Sequence, residues 1–193
     1  MAVARECTVS ESNESKPAAR IASLLRTGPR AIVMRFRDQL TRLLTGAPLR
    51  EVSAITPQLW VGGQHYPRGW AQMLAEGITA VVNMRETWHD DAANGIAPEH
   101  YLHLPTRDNT PVSLDDFAQG VAFIREEIER GGTVYIHCGV GVGRAPLMAA
   151  AYLVATGLTP DQAVAKLKAV RPFVHPTPSQ RRQLESFADS LKT

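Results

Sequence analysis

The most constraining feature of this chain is a glycine-rich segment that joins a short apolar run to a long helical pattern. Residues 133–136 are mostly apolar and β-branched, which predicts a buried strand that ends just before Cys138. Arg144 follows six positions later, where the helical pattern begins. Three glycines, at positions 139, 141 and 143, separate the two residues. A glycine-rich turn between a strand and a helix N-terminus is typical of an anion site.

This loop combines three chemical capacities. Glycine permits positive φ, so backbone N–H groups can turn inward toward one point. At a helix N-terminus such amides bind phosphate, and the same field favours the thiolate of Cys138 over its thiol. The planar guanidinium of Arg144 can hold two phosphoryl oxygens at once. The sequence therefore predicts a phosphate-binding loop composed of Gly139, Val140, Gly141, Val142, Gly143 and Arg144.

Other glycine-rich loops fit the segment less well. A nucleotide-binding loop of the Walker type requires Lys-Ser/Thr where this chain has Arg144-Ala145, and the dinucleotide fingerprint requires a different glycine spacing. A rhodanese-like sulfurtransferase also places a cysteine in an amide-lined loop, but the preceding His137 and the arginine at this distance are not expected there. A buried structural cysteine in a glycine-rich turn is the plain alternative.

The run from His137 through Cys138 to Arg144 resembles the signature of the cysteine-dependent protein tyrosine phosphatases. The small size of the surrounding region resembles the atypical members of the dual-specificity branch. The resemblance extends over about residues 55–191, and three further features belong to it: the segment 55–63, Asp108, and Arg171-Pro172. It implies a phosphatase fold without a cofactor, and we identify no metal site from the scattered histidines.

The resemblance also implies roles for individual residues. Cys138 would be the nucleophile that forms a thiophosphoryl intermediate, Arg144 would hold the equatorial oxygens, and Asp108 would be the general acid. His137 would orient the cysteine loop from behind. Gln180 would either position the attacking water or only cap the last helix, and both readings stay open.

One residue departs from the family pattern. The family usually has serine or threonine after the arginine, and this chain has Ala145. The departure supports phosphoryl transfer to the cysteine more firmly than hydrolysis of the intermediate, so a phosphate-binding pseudophosphatase remains an alternative. Asp115 and Asp116 are weaker candidates for the acid because they fall in the first turn of a predicted helix.

Two substrate classes follow from the resemblance. Small members of the family accept phosphotyrosine and, as a further class, phosphoserine and phosphothreonine. The loop lacks the lysines that are usual for phosphoinositides. The segments 82–86, 114–123 and 178–180 also resemble phosphatidylglycerophosphate phosphatases of the same fold, so a phospholipid substrate is the alternative. Nothing in the sequence points to nucleic acid.

Alternating short apolar runs and helical patterns predict an α/β fold, with a central mixed or parallel sheet flanked by helices and preceded by an N-terminal helical extension. Three helix starts have capping residues: Ser113, Thr159 and Thr177, the last two followed by Pro and by Gln at the third helical position. We divide the chain into a disordered tail, a basic amphipathic helical extension and a catalytic domain, at residues 1–16, 17–48 and 49–193.

The extension carries the positive charge. Residues 1–50 hold nine basic and four acidic residues, whereas the remainder holds twelve basic and fifteen acidic. Its apolar residues recur at helical spacing: Ile21, Leu24, Leu25, Val33, Phe36, Leu40, Leu43 and Leu44. Most of its arginines, including Arg42, fall off this stripe. Residues 18–44 would contact an anionic membrane peripherally, or would pack on the domain with the arginines in solvent.

The two cysteines, Cys7 and Cys138, are far apart and do not indicate a disulfide framework. The first 16 residues lack the apolar region of a secretory signal. We therefore expect a cytoplasmic protein, with peripheral placement on the inner face of a membrane as the alternative.

Overall fold

The computed structural model describes residues 28–86 and 93–192, and within them five strands form one mixed sheet in the order β1-β2-β5-β3-β4. The strands are β1 (Ala54–Thr56), β2 (Leu59–Gly62), β3 (Ala80–Arg85), β4 (His100–Thr106) and β5 (Val134–His137). The pair β1 and β2 is antiparallel, and every other neighbouring pair is parallel. Parallel strands need crossover connections, and helices supply most of them here.

In the described part of the chain, six α-helices accompany the sheet: α1 (Pro29–Thr45), α2 (Pro67–Ala75), α3 (Leu114–Glu129), α4 (Arg144–Ala155), α5 (Pro160–Val170) and α6 (Pro178–Ser190). A short 3₁₀ helix covers Arg50–Val52. Helix α4 contacts α3, α5 and α6, and it also contacts β2, β3 and β5. It is therefore the central helix of the layer that covers one face of the sheet.

Side chains that alternate between the two faces of the sheet divide the core into two layers. In β5, Val134 and Ile136 pack into the main core with α4, whereas Tyr135 belongs to the cluster on the opposite face with Trp60 and Met73. Successive side chains of a strand point to opposite faces, so a strand that is apolar at every position must be covered on both. All four residues of β5 are buried, as this central position requires.

The predicted helix starts are confirmed. The Ser113 side chain accepts a hydrogen bond from the N–H of Asp116, which caps α3. Thr159 and Thr177 form complete capping boxes with the glutamine three residues later, with proline at the first helical position. These caps satisfy N–H groups that have no partner within the helix, so each fixes where its helix begins.

The predicted α/β class, with a mixed sheet flanked by helices and an N-terminal helix before it, is confirmed. The predicted tail at 1–16 and the first part of the extension, 17–27, lie outside the described residues. The boundary between extension and catalytic domain at residue 48 stays a prediction. Within the residues that the structure describes, none of the helices has the combination of length and apolar character that a bilayer span requires.

Helix α1 does not pack on the domain through its apolar stripe, as the packing alternative expected. Its buried residues are Ala31, Asp38 and Arg42, so the prediction that the extension's arginines stay in solvent is wrong for Arg42. The apolar stripe faces outward instead, and it comprises Ile32, Val33, Phe36, Leu40, Leu43 and Leu44, of which Leu44 is 68% exposed. A buried Arg-Asp pair on a helix needs partners in the domain, and these are found beneath the glycine-rich loop.

Candidate active site

The glycine-rich loop lies where three parallel strands end together. β5 is hydrogen-bonded to β2 on one side and to β3 on the other, and His137 is level with Gly62 and Asn83. Residues 138–143 leave β5 at this edge, and α4 begins at Arg144. The carboxyl edge of a parallel sheet, where helix N-termini converge, is the usual place for a ligand in α/β folds.

Cys138 lies at the base of this loop and is 3% exposed. Its Sγ accepts a hydrogen bond from the N–H of Gly141 at 3.3 Å. Gly141 has φ +73°, and a Cβ at this position would overlap the carbonyl of Gly62. The turn therefore requires glycine here, and it directs a main-chain donor at the sulfur.

Arg144 joins the loop to the ends of β3 and β4. Its Nη1 donates to the carbonyl oxygens of Thr106, at 2.8 Å, and Met84, at 3.3 Å. Its Nη2 lies 3.0 Å from Oδ1 of Asp108. The structure thus brings together two of the predicted site residues, and the backbone carbonyls fix the plane of the guanidinium.

Asp108 follows β4 in a turn that opens toward the loop. Its side chain is 73% exposed, although it pairs with a nearly buried guanidinium. The turn is closed by the Thr110 hydroxyl, which donates to the carbonyl of Arg107 at 2.8 Å, and Asn109 has φ +61°. An exposed carboxyl group beside the loop can move toward a substrate and exchange protons with it.

Gln180 connects α6 to the turn that contains Asp108. Its Oε1 accepts from the N–H of Thr177, which is the capping contact, and its Nε2 donates to the carbonyl of Thr110 at 3.0 Å. A Cβ on Gly143 would lie 3.4 Å from Oε1, so the side chain adjoins the glycine-rich loop. The capping role is confirmed, and the role in positioning water stays a prediction.

His137 lies behind the loop in a group of buried rings. Its ring stacks on Tyr135 at an interplanar angle of 13° and meets His65 edge-on, with centroids 5.1 Å apart. The Tyr135 hydroxyl donates to the carbonyl of Gly63 at 2.5 Å, and burial raises the pKa of this tyrosine, so the phenol keeps its proton. The rings support the loop from the side away from α4.

Three charged residues near the loop were not assigned a role from the sequence. Arg171 entered only as part of the family resemblance, and Asp38 and Arg42 were not singled out as site residues. All three are buried, and Oδ2 of Asp38 lies 3.0 Å from Nη2 of Arg171 and 3.5 Å from Nε of Arg42. The one available signal was that Asp38 and Arg42 share the α1 face opposite the apolar stripe.

The described residues contain no cluster of three His, Cys, Asp or Glu that could hold a metal.

Comparison with known proteins identifies the family. The family model for the catalytic domain of dual-specificity phosphatases matches residues 59–190. The chain belongs to this family. The matched range contains the glycine-rich loop and Asp108, and it begins after α1 has ended.

Curated relatives of this dual-specificity phosphatase include both protein and lipid phosphatases by name. Dual specificity protein phosphatase 22-B of Danio rerio is 28% identical over 138 residues, which cover 70% of this chain and 73% of the relative. The human phosphatidylglycerophosphatase and protein-tyrosine phosphatase 1 is 30% identical over 120 residues, which cover 58% of this chain and 60% of that relative. Phosphatidylglycerophosphate phosphatase PTPMT2 of Arabidopsis thaliana is 26% identical over 154 residues, covering 77% and 68%.

Solved structures agree with the fold of this dual-specificity phosphatase. The crystal structure of PTPMT1 superposes with a TM-score of 0.65 at 24% identity and covers 72% of this chain and 95% of that one. Human DUSP28 superposes with a TM-score of 0.63 at 22% identity, covering 72% and 96%. Both likenesses support the arrangement of sheet and helices.

Proposed function

We propose that this dual-specificity phosphatase hydrolyses phosphate monoesters through a phosphocysteine intermediate on Cys138. The observation that carries the proposal is the meeting of three groups at one loop: the Cys138 sulfur with a main-chain N–H directed at it, Arg144, and Asp108. A nucleophile, an oxyanion-binding cation and an acid within one site are what phosphoryl transfer to an enzyme residue requires.

The proposed reaction has two displacements. The Cys138 thiolate attacks phosphorus in line, an S–P bond forms and the P–O bond to the alcohol breaks, while Asp108 gives its proton to the leaving oxygen. Water then attacks phosphorus, gives a proton back to Asp108, and releases the thiolate with inorganic phosphate. Throughout, the loop N–H groups and Arg144 hold the three equatorial oxygens, whose charge is redistributed in each step.

The proposed substrate is a phosphorylated protein in the cytoplasm, with phosphotyrosine first and phosphoserine and phosphothreonine as the further class. The named protein phosphatases among the relatives support this class. The loop positions between Cys138 and Arg144 contain no lysine, so the loop itself carries no extra cation for a second phosphate on the substrate.

A phospholipid monoester is the second candidate, and the outward face of α1 favours it. A cleft of about 290 Å³ is lined by Phe36, Leu40 and Leu43 of α1, by Tyr66, and by Gly139 of the catalytic loop. The apolar stripe of α1 thus continues into the neighbourhood of the phosphate site. Relatives named as phosphatidylglycerophosphate phosphatases support the same candidate.

A direct comparison of turnover separates the two candidates. We expect the full chain to hydrolyse a phosphotyrosine peptide with a higher kcat/KM than phosphatidylglycerophosphate in mixed micelles, because the loop accepts one phosphate without further recognition. Release of inorganic phosphate from both substrates at equal concentration is the measurement, with a phosphothreonine peptide as a third sample. A higher value for the lipid would contradict the protein-phosphatase proposal and establish the second candidate.

The outward stripe also supports peripheral contact with an anionic membrane through residues 18–44. Arg30 and Arg37 on one side and Arg35 on the other flank the stripe on the helical wheel, and an apolar stripe bordered by arginine is typical of interfacial helices. We expect the full chain to float with liposomes that contain anionic lipid, and the double change Phe36→Ser/Leu40→Ser to lower the bound fraction severalfold.

The control for flotation removes the same kind of apolar surface elsewhere. Leu74 and Leu191 are exposed on α2 and after α6, at 49% and 51%. The double change Leu74→Ser/Leu191→Ser is expected to leave binding unchanged. Equal loss in both double variants, or no binding by the wild type at low salt, would contradict the membrane contact.

A further inference from the structure

A buried ion-pair group connects α1 to the underside of the catalytic loop. Asp38, from α1, and Arg171, from the segment after α5, are both completely buried and lie 3.0 Å apart, although 133 positions separate them in the chain. Arg42 completes the group, since its Nε lies 3.5 Å from the same carboxyl oxygen and its Nη1 donates to the carbonyl of Gln64. Asp38 also accepts from the N–H of Leu49 through its other oxygen.

The guanidinium of Arg171 also donates to two carbonyls of the loop. Its Nε donates to the carbonyl of Gly141 at 2.7 Å, and its Nη2 lies 3.3 Å from the carbonyl oxygen of Val140. Its Nη1 donates to the carbonyl of Val52 at 2.9 Å. Two consecutive loop carbonyls are therefore bound on the side of the loop that faces α1.

Because each peptide unit is planar, binding of the loop carbonyls also sets the direction of the loop N–H groups. The carbonyl of Val140 and the N–H of Gly141 belong to one planar trans peptide, in which the two groups point in opposite directions. Arg171 binds the carbonyl, so the N–H points away from it, and this is the N–H that donates to Sγ of Cys138. The carbonyl of Gly141 is held in the same way, so the N–H of Val142 also points away from Arg171.

Asp38 supplies a carboxylate partner for Arg171 in a site that excludes water, and this contact holds the guanidinium in place. Complete burial lowers the pKa of the Arg171 guanidinium, and the charge of Asp38 together with their hydrogen bond raises it again. A buried guanidinium without a counter-ion is costly, and its removal from this position would free both loop carbonyls to turn. Both effects act on the loop through Arg171, because the hydrogen bonds of Asp38 go to Arg171 and to the N–H of Leu49 and not to residues 138–143.

We propose that Asp38 is a positioning residue for the catalytic loop: it anchors Arg171, which holds the Val140 and Gly141 carbonyls outward and so directs N–H groups at the sulfur and the bound phosphate. This deepens the proposed function and rests on it. Because Asp38 belongs to α1, this role makes α1 part of the support of the active site. Asp38 lies outside the range 59–190 that matches the family.

The test compares Asp38→Asn with wild type in the full chain. Asparagine keeps the shape and removes the charge. Because fewer inward amides stabilise the thiolate, we expect the pH midpoint for alkylation of Cys138 by iodoacetamide to rise by about one unit, which makes alkylation about tenfold slower below the midpoint. Competitive inhibition by inorganic phosphate should weaken by a similar factor. Mass spectrometry of the Cys138 peptide separates this signal from Cys7.

The matched control is Glu127→Gln, which removes another buried carboxylate. Glu127 lies 2.8 Å from Nδ1 of His100, accepts from the Thr79 hydroxyl and adjoins Gly132, so it lies where β3 and β5 begin, whereas the loop leaves the far end of β5. Both variants should lose thermal stability, but the control should keep the wild-type alkylation midpoint and phosphate inhibition. Asp38→Glu, which retains the charge, should restore most of the wild-type midpoint.

A second substitution covers the case in which Asp38→Asn does not fold. Arg171→Lys keeps a cation beside Asp38 but cannot reach two carbonyls at once, so the alkylation midpoint should rise here too. A wild-type midpoint in the folded variants, or an equal shift in Glu127→Gln, would overturn the positioning role. That result is distinct from failure of the proposed function, which would be seen as full activity without the Cys138 thiol.

Discussion

Replacing Cys138 with serine is expected to lower the hydrolysis of p-nitrophenyl phosphate by more than about 10³-fold. The loop amides and Arg144 can stabilise an anionic sulfur, but a serine hydroxyl stays protonated at neutral pH and has no general base directed at it in the proposed mechanism. Steady-state release of p-nitrophenol, together with the size of any initial burst, measures the effect.

The control for this change is Cys7→Ser, which removes the other thiol of the chain and should leave the rate unchanged. Equal rates for Cys138→Ser and wild type would remove the nucleophile from the proposal. If the wild type binds inorganic phosphate but releases no p-nitrophenol, the protein is a phosphate-binding pseudophosphatase. A burst without turnover would mean that the phosphocysteine forms but is not hydrolysed. Ala145, which is buried in the first turn of α4 and offers no hydroxyl, would then be the first position to restore.

Replacing Asp108 with asparagine is expected to reduce kcat by about 10²–10⁴-fold for alkyl phosphates, because their leaving oxygen needs a proton as the P–O bond breaks. The loss should shrink for aryl phosphates with good leaving groups, which depart without full protonation. A series of phosphate esters that differ in the acidity of the leaving alcohol measures this difference.

Asp115 provides the matched control for Asp108, since it is an exposed aspartate in the first turn of α3 and the sequence made it only a weaker candidate for the acid. Asp115→Asn should keep the wild-type rate with every ester. A loss in Asp108→Asn that is the same across the whole series would show that Asp108 acts by holding Arg144, with which it pairs at 3.0 Å, and would contradict its role as acid.

Much of the site was predictable because its residues are close in the chain or follow a family pattern. Cys138, the glycines and Arg144 lie within seven positions, so the strand before them and the helix after them place them together. The contact between Asp108 and Arg144 agrees with the site predicted for them, while their chemical roles stay predictions. The helix starts were predictable as well, since a capping box involves residues only three positions apart.

The orientation of α1 could not be predicted from its own residues. Its apolar stripe suggested either a membrane surface or the core as the partner, and the packing alternative left its arginines in solvent. The structure buries Asp38 and Arg42 instead and leaves Phe36 65% exposed. A helical pattern distinguishes an apolar face from a polar face of the helix. Which of the two packs on the domain depends on residues that lie elsewhere in the chain, and here the decisive residue is Arg171, which pairs with Asp38.

The sequence by itself determined the fold class, the glycine-rich loop between β5 and α4, and the family, because each is encoded in short-range patterns of apolar residues, glycines and caps. Only the tertiary structure decided how the loop is supported. Asp38 and Arg171 attract each other strongly because folding removes both from water, and that environment exists only after α1, the loop and the segment before α6 have come together.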